Sequence, residues 1–499
     1  ALRPVGADLA EVVARCLADD PAGRPEELGV VARALATVSN GIDPARRAPR
    51  PVVEPDVRAS VVHVRPFVVE SGAAELAVAL AAELAERLAS GDRVVRSGPR
   101  AEPDTLVLVD GRVSLDGDLV HVSIQARGAT DGLLLWADVV SAPFAGLIGA
   151  MDRAAVEIAA VVSGGRPHSR PALRRDGETV DLYLRGRAKL ASYEGDDGAA
   201  RLLAEAAARA PEDPLVLSAY AVALSRLRDW HLDVMVEARA VIQRALRLAP
   251  EMPEVQAALG AVLFNANENA GAASALVSAL SSAPSNAEAH ATLASILSEC
   301  GHTAEARDEY VLARRLAPDL VVARMNEAVH AARGGDDRLA WDLLDVGGRA
   351  GEVRQLVAVV FMRAIIAAGT DPGRAAAALD GRGPWADLAA RHLRRVATPA
   401  DVALALRPVE GLRASHLRRR IFGAVLALEV ELWLGRASAP ERALEHAVAL
   451  GLTDLGWLDT ARLLDGLRAG EAFRAARAIV AERVALVDRA LAPILEPTS

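Results

Sequence analysis

Pro250, Pro284 and Pro318 recur at intervals of 34 residues, and each closes a similar phrase: IQRALRLAP, LVSALSSAP, YVLARRLAP. Ala245, Ala279 and Ala313 stand five residues ahead of them, and Ala238, Ala272 and Ala306 twelve ahead. A period of this length limits the fold severely. Each period is one supersecondary unit, and it buries its apolar face only by stacking on its neighbours. Gly260 and Ala294 sit beside Leu259 and Leu293 in the first helix of their units. Small residues there let two helices approach closely, and the proline ends the second helix before the next unit begins. Earlier copies are looser. Pro211 lies 39 residues before Pro250, so LRDWHLDVM carries a small insertion, and DLYLRGRAKL with AARLLAEAAARAP makes a first copy. After Pro318 the pattern decays: Ala328, Ala340 and Leu344 fit, but Glu327 replaces an apolar residue and Glu352 replaces the proline.

Hydrophobic residues make up 52% of the chain and aromatics only 3%, so the cores must be built from Ala, Leu and Val, which favours packed helices. The net charge of −9 argues against nucleic acid or an anionic membrane as the main partner. Lys189 is the only lysine. Cys16 and Cys300 give neither metal spacing nor a disulfide framework, which suits a reducing compartment. No apolar run reaches the length of a membrane span, so a cytoplasmic location is expected.

The expected organisation runs in six parts. Residues 1–40 read as helices, 41–58 as a Pro- and Arg-rich linker, and 59–164 as a small α/β domain. Asp116-Gly117, between alternating apolar residues, predicts a hairpin. A second linker covers 165–178, the repeats 179–352, and less regular helices with a terminal cap 353–499. In the last part, Ser438 and Glu441 are spaced for a capping box. The cluster HLRRR at 416–420 suits a phosphate or an acidic partner, but adjacent arginines diverge around a helix, so a solvated face is the expectation. His290 is expected to pack.

Four resemblances rest on these residues. Leu259, Gly260, Leu263, Ala272, Leu276, Ala279 and Pro284 resemble the tetratricopeptide repeat, as do Leu293, Ala294, Leu297, Ala306, Tyr310, Ala313 and Pro318. The resemblance implies a mainly α fold, an α-solenoid following a small α/β domain and a short helical remnant. Near the start, Cys16, Leu17, Asp20, Pro21, Arg24 and Pro25 are similar to the end of a protein kinase lower lobe. There the arginine matching Arg24 would pair with the glutamate of the Ala-Pro-Glu motif. The order of segments resembles bacterial serine/threonine kinases with C-terminal sensor and repeat regions. Gly111, Val113, Gly117, Val122, Gln125, Thr130, Gly132, Leu135, Trp136 and Ala137 resemble a module like the N-terminal domain of TolB. Leu464, Leu467, Arg468 and Phe473 resemble the terminal segment of tetratricopeptide arrays in bacterial signalling proteins.

The sequence offers no Gly-rich loop, His-Arg-Asp or Asp-Phe-Gly, so no catalytic residue or cofactor is expected in this chain; ATP and Mg would belong to the kinase domain that the resemblance implies. An enzyme working through the α/β segment would need a nucleophile–base pair or a phosphate loop, and neither is apparent. The expectation is therefore a non-catalytic regulatory and protein-binding region, or else a free-standing repeat scaffold. Family groove positions map to Glu254, Ala257, Ala261, Phe264, Asn265, Glu288, Ala291, Ser295, Ser298 and Glu299. Their acidic and neutral character suits proteins or peptides carrying Arg or Lys. The kinase catalytic domain in cis is the other expected partner.

Overall fold

The computed structural model describes residues 61–71, 74–89, 94–117, 119–130, 132, 134–163, 176–192, 196–227, 232–317, 320–334, 336–344, 390–391, 417–433 and 437–495. The kinase-like residues, Arg24 among them, lie outside these.

The α/β part begins with β1 (Val61–Val64) and β2 (Val68–Ser71), followed by α1 (Ala74–Leu88) and β3 (Val94–Ser97). A meander follows, β4 (Val107–Asp116), β5 (Leu119–Gly128) and β6 (Leu134–Pro143), closed by α2 (Phe144–Ser163). The strands form one sheet in the order β3-β1-β4-β5-β6, with β2 alongside β4. β1 is parallel to both its neighbours, as a strand pair joined through a helix requires, and the meander is antiparallel. The predicted hairpin turns at Gly117, whose φ of +59° suits glycine, and Asp116 faces Leu119 across it. Val107, Val109 and Val113 of β4 and Val120, Val122 and Ile124 of β5 are buried at strand alternation. On α1, Leu76, Leu80, Leu84 and Leu88 recur every fourth residue and are all buried. At Gly111 any Cβ would lie 2.5 Å from the Phe67 ring, so the aromatic ring occupies the space of a side chain.

Ten helices then pair in sequence. They are α3 (Gly177–Ser192) with α4 (Asp196–Arg209), α5 (Pro214–Arg226) with α6 (Leu232–Leu248), and α7 (Pro253–Asn265) with α8 (Asn269–Ser282). Next come α9 (Ala287–Cys300) with α10 (Thr303–Leu316), and α11 (Val321–Arg333) with α12 (Asp337–Leu344). This is a tetratricopeptide-type solenoid. The periodic alanines Ala238, Ala245, Ala272, Ala279, Ala306 and Ala313 are all fully buried. Helix starts are set by local chemistry: Asp213 accepts from Leu215 and Val216 with Pro214 opening the helix, and Asn286 accepts from Ala289. Gly301 ends α9 in the left-handed region at φ +90°.

Sequence decay after Pro318 does not end the array, since α11 and α12 still pair. The misplaced Glu327 is only 2% exposed and accepts from Arg314 Nε at 3.0 Å, so the charge is compensated rather than excluded.

The C-terminal part comprises α13 (Leu417–Trp433), α14 (Pro440–Ala449), α15 (Leu455–Thr460), a 3₁₀ turn (Arg462–Leu464) and α16 (Glu471–Leu495). Leu464 and Phe473 are buried as the resemblance implied, and Arg468 donates to the carbonyl of Ala461 at 3.0 Å, tying the loop to α15. The expected capping box does not form. Ala439 occupies the cap position of α14, with Pro440 opening the helix and no side-chain cap bond.

One core runs from the sheet through α1 and α2 into α3–α7, while a second joins α8–α10 to α13–α16. The α/β part and the first repeats are thus packed as one body.

Close approach inside each pair depends on glycine at two places. A Cβ at Gly186 would lie 2.5 Å from Leu203, and one at Gly260 2.6 Å from Leu276. Replacing Gly260 by Val should therefore destabilise the chain by about 1–3 kcal/mol through overpacking, read as a lowered denaturation midpoint. Gly271→Ala, whose Cβ would meet only the tip of Leu263 at 3.1 Å, should cost much less.

Candidate functional site

The inner helices of the solenoid are α3, α5, α7, α9 and α11. Two other parts of the chain lie against them, at opposite ends of those helices.

The first is the α/β part. Helix α1 and strand β3 lie over α3, α5, α7 and α9 and line with them a partly open cavity of about 240 Å³. Its rim is held by ion pairs. Arg87 binds Glu83 and Asp152, with the Tyr183 hydroxyl 3.4 Å from Glu83. Arg187 of α3 pairs with Glu86 of α1. Asp104 accepts from Arg96 at 2.8 Å and from Arg315 of α10 at 3.1 Å, and Val95 N donates to Ser285 Oγ at 3.1 Å. Hydrogen bonding and charge from Arg96 hold the Asp104 carboxyl below the usual range. Across the cavity, Arg226 Nη2 donates to Glu288 Oε2 at 3.1 Å. Burial alone would raise the Glu288 carboxyl, but Arg226 and Arg187 outweigh it and hold it below the usual range.

The second is the C-terminal part, which covers the edge where inner helices turn into outer ones. Asn267 sits in that turn at φ +65°, a conformation asparagine tolerates, and donates to the carbonyl of Gly451 at 2.9 Å. Asn269 donates to Glu299 at 2.9 Å and to Thr453 at 3.1 Å. Arg418 pairs with Glu299, donates to Asn269 at 3.3 Å, and lies 3.5 Å above the Phe264 ring. Arg333 reaches Asp454 at 3.2 Å and His302 reaches Asp488 at 2.7 Å. Gly456 has no room for a side chain, since a Cβ there would lie 2.1 Å from the Ser298 carbonyl. Burial pushes the Glu299 carboxyl up, with Asp454 adding and Arg418 opposing.

The predicted groove positions therefore separate into distinct settings. Glu254, Ala257, Ala261 and Glu288 line the cavity. Phe264 and Glu299 lie beneath Arg418, a residue expected from the sequence to face solvent. Ser298 bonds His330 Nδ1 at 2.9 Å under α15. Asn265 donates to Ser225 Oγ at 3.0 Å, joining neighbouring repeats. Ser295 is buried, donates to Ala291 O at 2.9 Å and lies 3.1 Å from the Tyr310 hydroxyl, and Ala291 is buried too. Neither is placed to meet a partner in a groove. His290 packs as expected, its Nε2 2.8 Å from Pro284 O. Nothing local in the sequence marks α1 and β3 as walls, or Arg418 as the cover.

Among the described residues no helix is long and apolar enough to cross a membrane, and no group of three or more His, Cys, Asp or Glu side chains is placed to hold a metal ion.

No family model matches the chain, and no curated protein matches it. Solved structures match it only loosely. Human IFIT1 as a dimer with m7Gppp-AAAA is 15% identical over 66% of this chain and 75% of that one, with a TM-score of 0.31. Yeast Tom70 is 16% identical over 66% and 70%, with a TM-score of 0.32. Naa15/Naa10 bound to HypK-THB is 14% identical over 64% and 58%, with a TM-score of 0.23. The solenoid assignment rests on the helix pairs themselves.

Two measurements test this geometry. Arg418→Ala should cost roughly 3 kcal/mol by leaving Glu299 buried without its cation, and Glu299→Gln in the same chain should recover part of the loss in a double-mutant cycle. His330, buried against Tyr310, is lowered by burial to about 4, against an ordinary value of 6.5. Between those values the unfolded chain binds the proton that the folded one refuses, so stability falls as pH drops from 6.5 towards 4. Urea unfolding across that window should show a shallower fall in His330→Gln.

Proposed function

We propose that the chain is a protein-binding region in which the tetratricopeptide array recruits partners, and that it regulates a bacterial serine/threonine kinase without catalysing the transfer itself. The observation that carries the binding role is the array of five stacked pairs, a surface of fixed geometry with its joints locked by Arg–carboxylate bonds. The kinase link is supported by the phrase around Cys16, Asp20, Pro21 and Arg24 and by the order of segments behind it. A partner bearing Arg or Lys suits the carboxylates Glu254 and Glu288 at the cavity, as charge complementarity sets partner choice and on-rate.

The test is a phosphorylation assay with labelled ATP and a general acceptor protein, using a catalytic domain encoded in frame upstream, with and without this chain. Altered rate or acceptor choice on mixing is expected, with no transfer by this chain alone. An unaltered rate, or no such catalytic domain upstream, removes the kinase link and leaves a free-standing scaffold. Transfer by the chain alone overturns the non-catalytic reading.

A further inference from the structure

Helix α16 carries two apolar stripes where its own packing needs one. On the inner face Phe473, Ala476, Val480, Val484, Val487 and Leu491 recur at steps of three and four, and all are buried. Opposite them, at the same steps, stand Ala478, Ile479, Glu482, Ala485, Leu486 and Arg489, all exposed. Leu486 is 52% exposed and Ile479 44%. A helix that lies on one core ordinarily turns a polar face outward, as α10 does with Arg307 and Asp308. The outer stripe of α16 also suits one kind of neighbour. Ala478 and Ala485 leave room for a second helix to come close. Glu482 and Arg489 lie along the same stripe, and among the described residues neither has an ionic partner.

We propose that α16 docks against α16 of a second copy of this chain, antiparallel, about a two-fold axis beside Ala485 and Leu486. Residues equally far from that axis then face each other. Glu482 meets Arg489 of the partner subunit, and the symmetry makes that bond twice. Leu486 meets the partner subunit's Ala485, and Ile479 meets the partner's Ala492. The apolar centre leaves water while the charges stay towards the rim. A parallel pairing would set Glu482 on Glu482 and Arg489 on Arg489, and the repulsion of like charges opposes it. The contact runs from Ala478 to Pro493, about 24 Å of helix. That is a small interface, so the dimer has a dissociation constant on the order of micromolar and comes apart on dilution. The inference stands whether or not the array binds another protein.

The experiment is sedimentation equilibrium of the whole chain over a dilution series, with thermal unfolding of each variant at its most dilute. A mass that rises from monomer to dimer with concentration is expected. Leu486→Glu should weaken the dimer roughly tenfold or more and leave the melting temperature of the dilute chain unchanged, because the side chain is exposed. Glu482→Arg should weaken it as well, and adding Arg489→Glu to that variant should restore it. A chain that stays monomeric throughout, a dimer unaffected by Leu486→Glu, or a double variant that associates no better than Glu482→Arg overturns the proposal. A monomer whose melting temperature falls in Leu486→Glu overturns it too, and assigns the stripe to another segment of the same chain.

Discussion

The structure depends on how near two helices can come. At Gly186 and Gly260 the partner leucine occupies the place of the missing side chain, and Ala272, Ala279, Ala306 and Ala313 are fully buried. Dispersion between helices at that range is summed over many atoms, which is how a chain with 3% aromatic residues still closes extended cores. The period follows from the same constraint. Small residues must return to the same face at each step, and the chain must reverse between them.

Charge does a different job. The joints between parts of the molecule are arginine–carboxylate bonds: Arg187–Glu86 and Arg315–Asp104 on one side, Arg418–Glu299 and Arg333–Asp454 on the other. Arg418–Glu299 and Arg333–Asp454 are the more buried two, and pairs of that kind contribute little net stability over apolar packing but are costly to break from one side. They define which surfaces meet more than how strongly. Glu327 is the same device inside the array, where a carboxylate at an apolar position is tolerated because Arg314 stands beside it.

Much of the fold was legible because repeats and hairpins are local. The 34-residue spacing located α7–α10, and Asp116-Gly117 located the turn between β4 and β5. The candidate site was legible only in part. Glu254 and Glu288 were found because the family groove fixes where they point. Nothing local in ELAVALAAELAERL says that α1 will lie over that groove, since the contact joins residues a hundred positions apart, as Arg187 and Glu86 do. The setting of Arg418 is hidden for the same reason: a basic cluster on a helix looks solvated until the acidic partner, 119 positions away, is known. Ser295 faces Tyr310 of its own repeat, so a position that lines the groove in the family lies inside the packing here.

Helix α7 belongs to both cores. Val255, Ala258 and Val262 belong to the core that includes the sheet, while Leu263 and Phe264 pack against the core that includes the C-terminal helices. Its first turn carries Glu254 at the cavity and its last carries Phe264 under Arg418. The helix is therefore a rod of about 15 Å between the two places where the solenoid is covered. The same thirteen residues therefore fix the spacing between the cavity and the seat of Arg418.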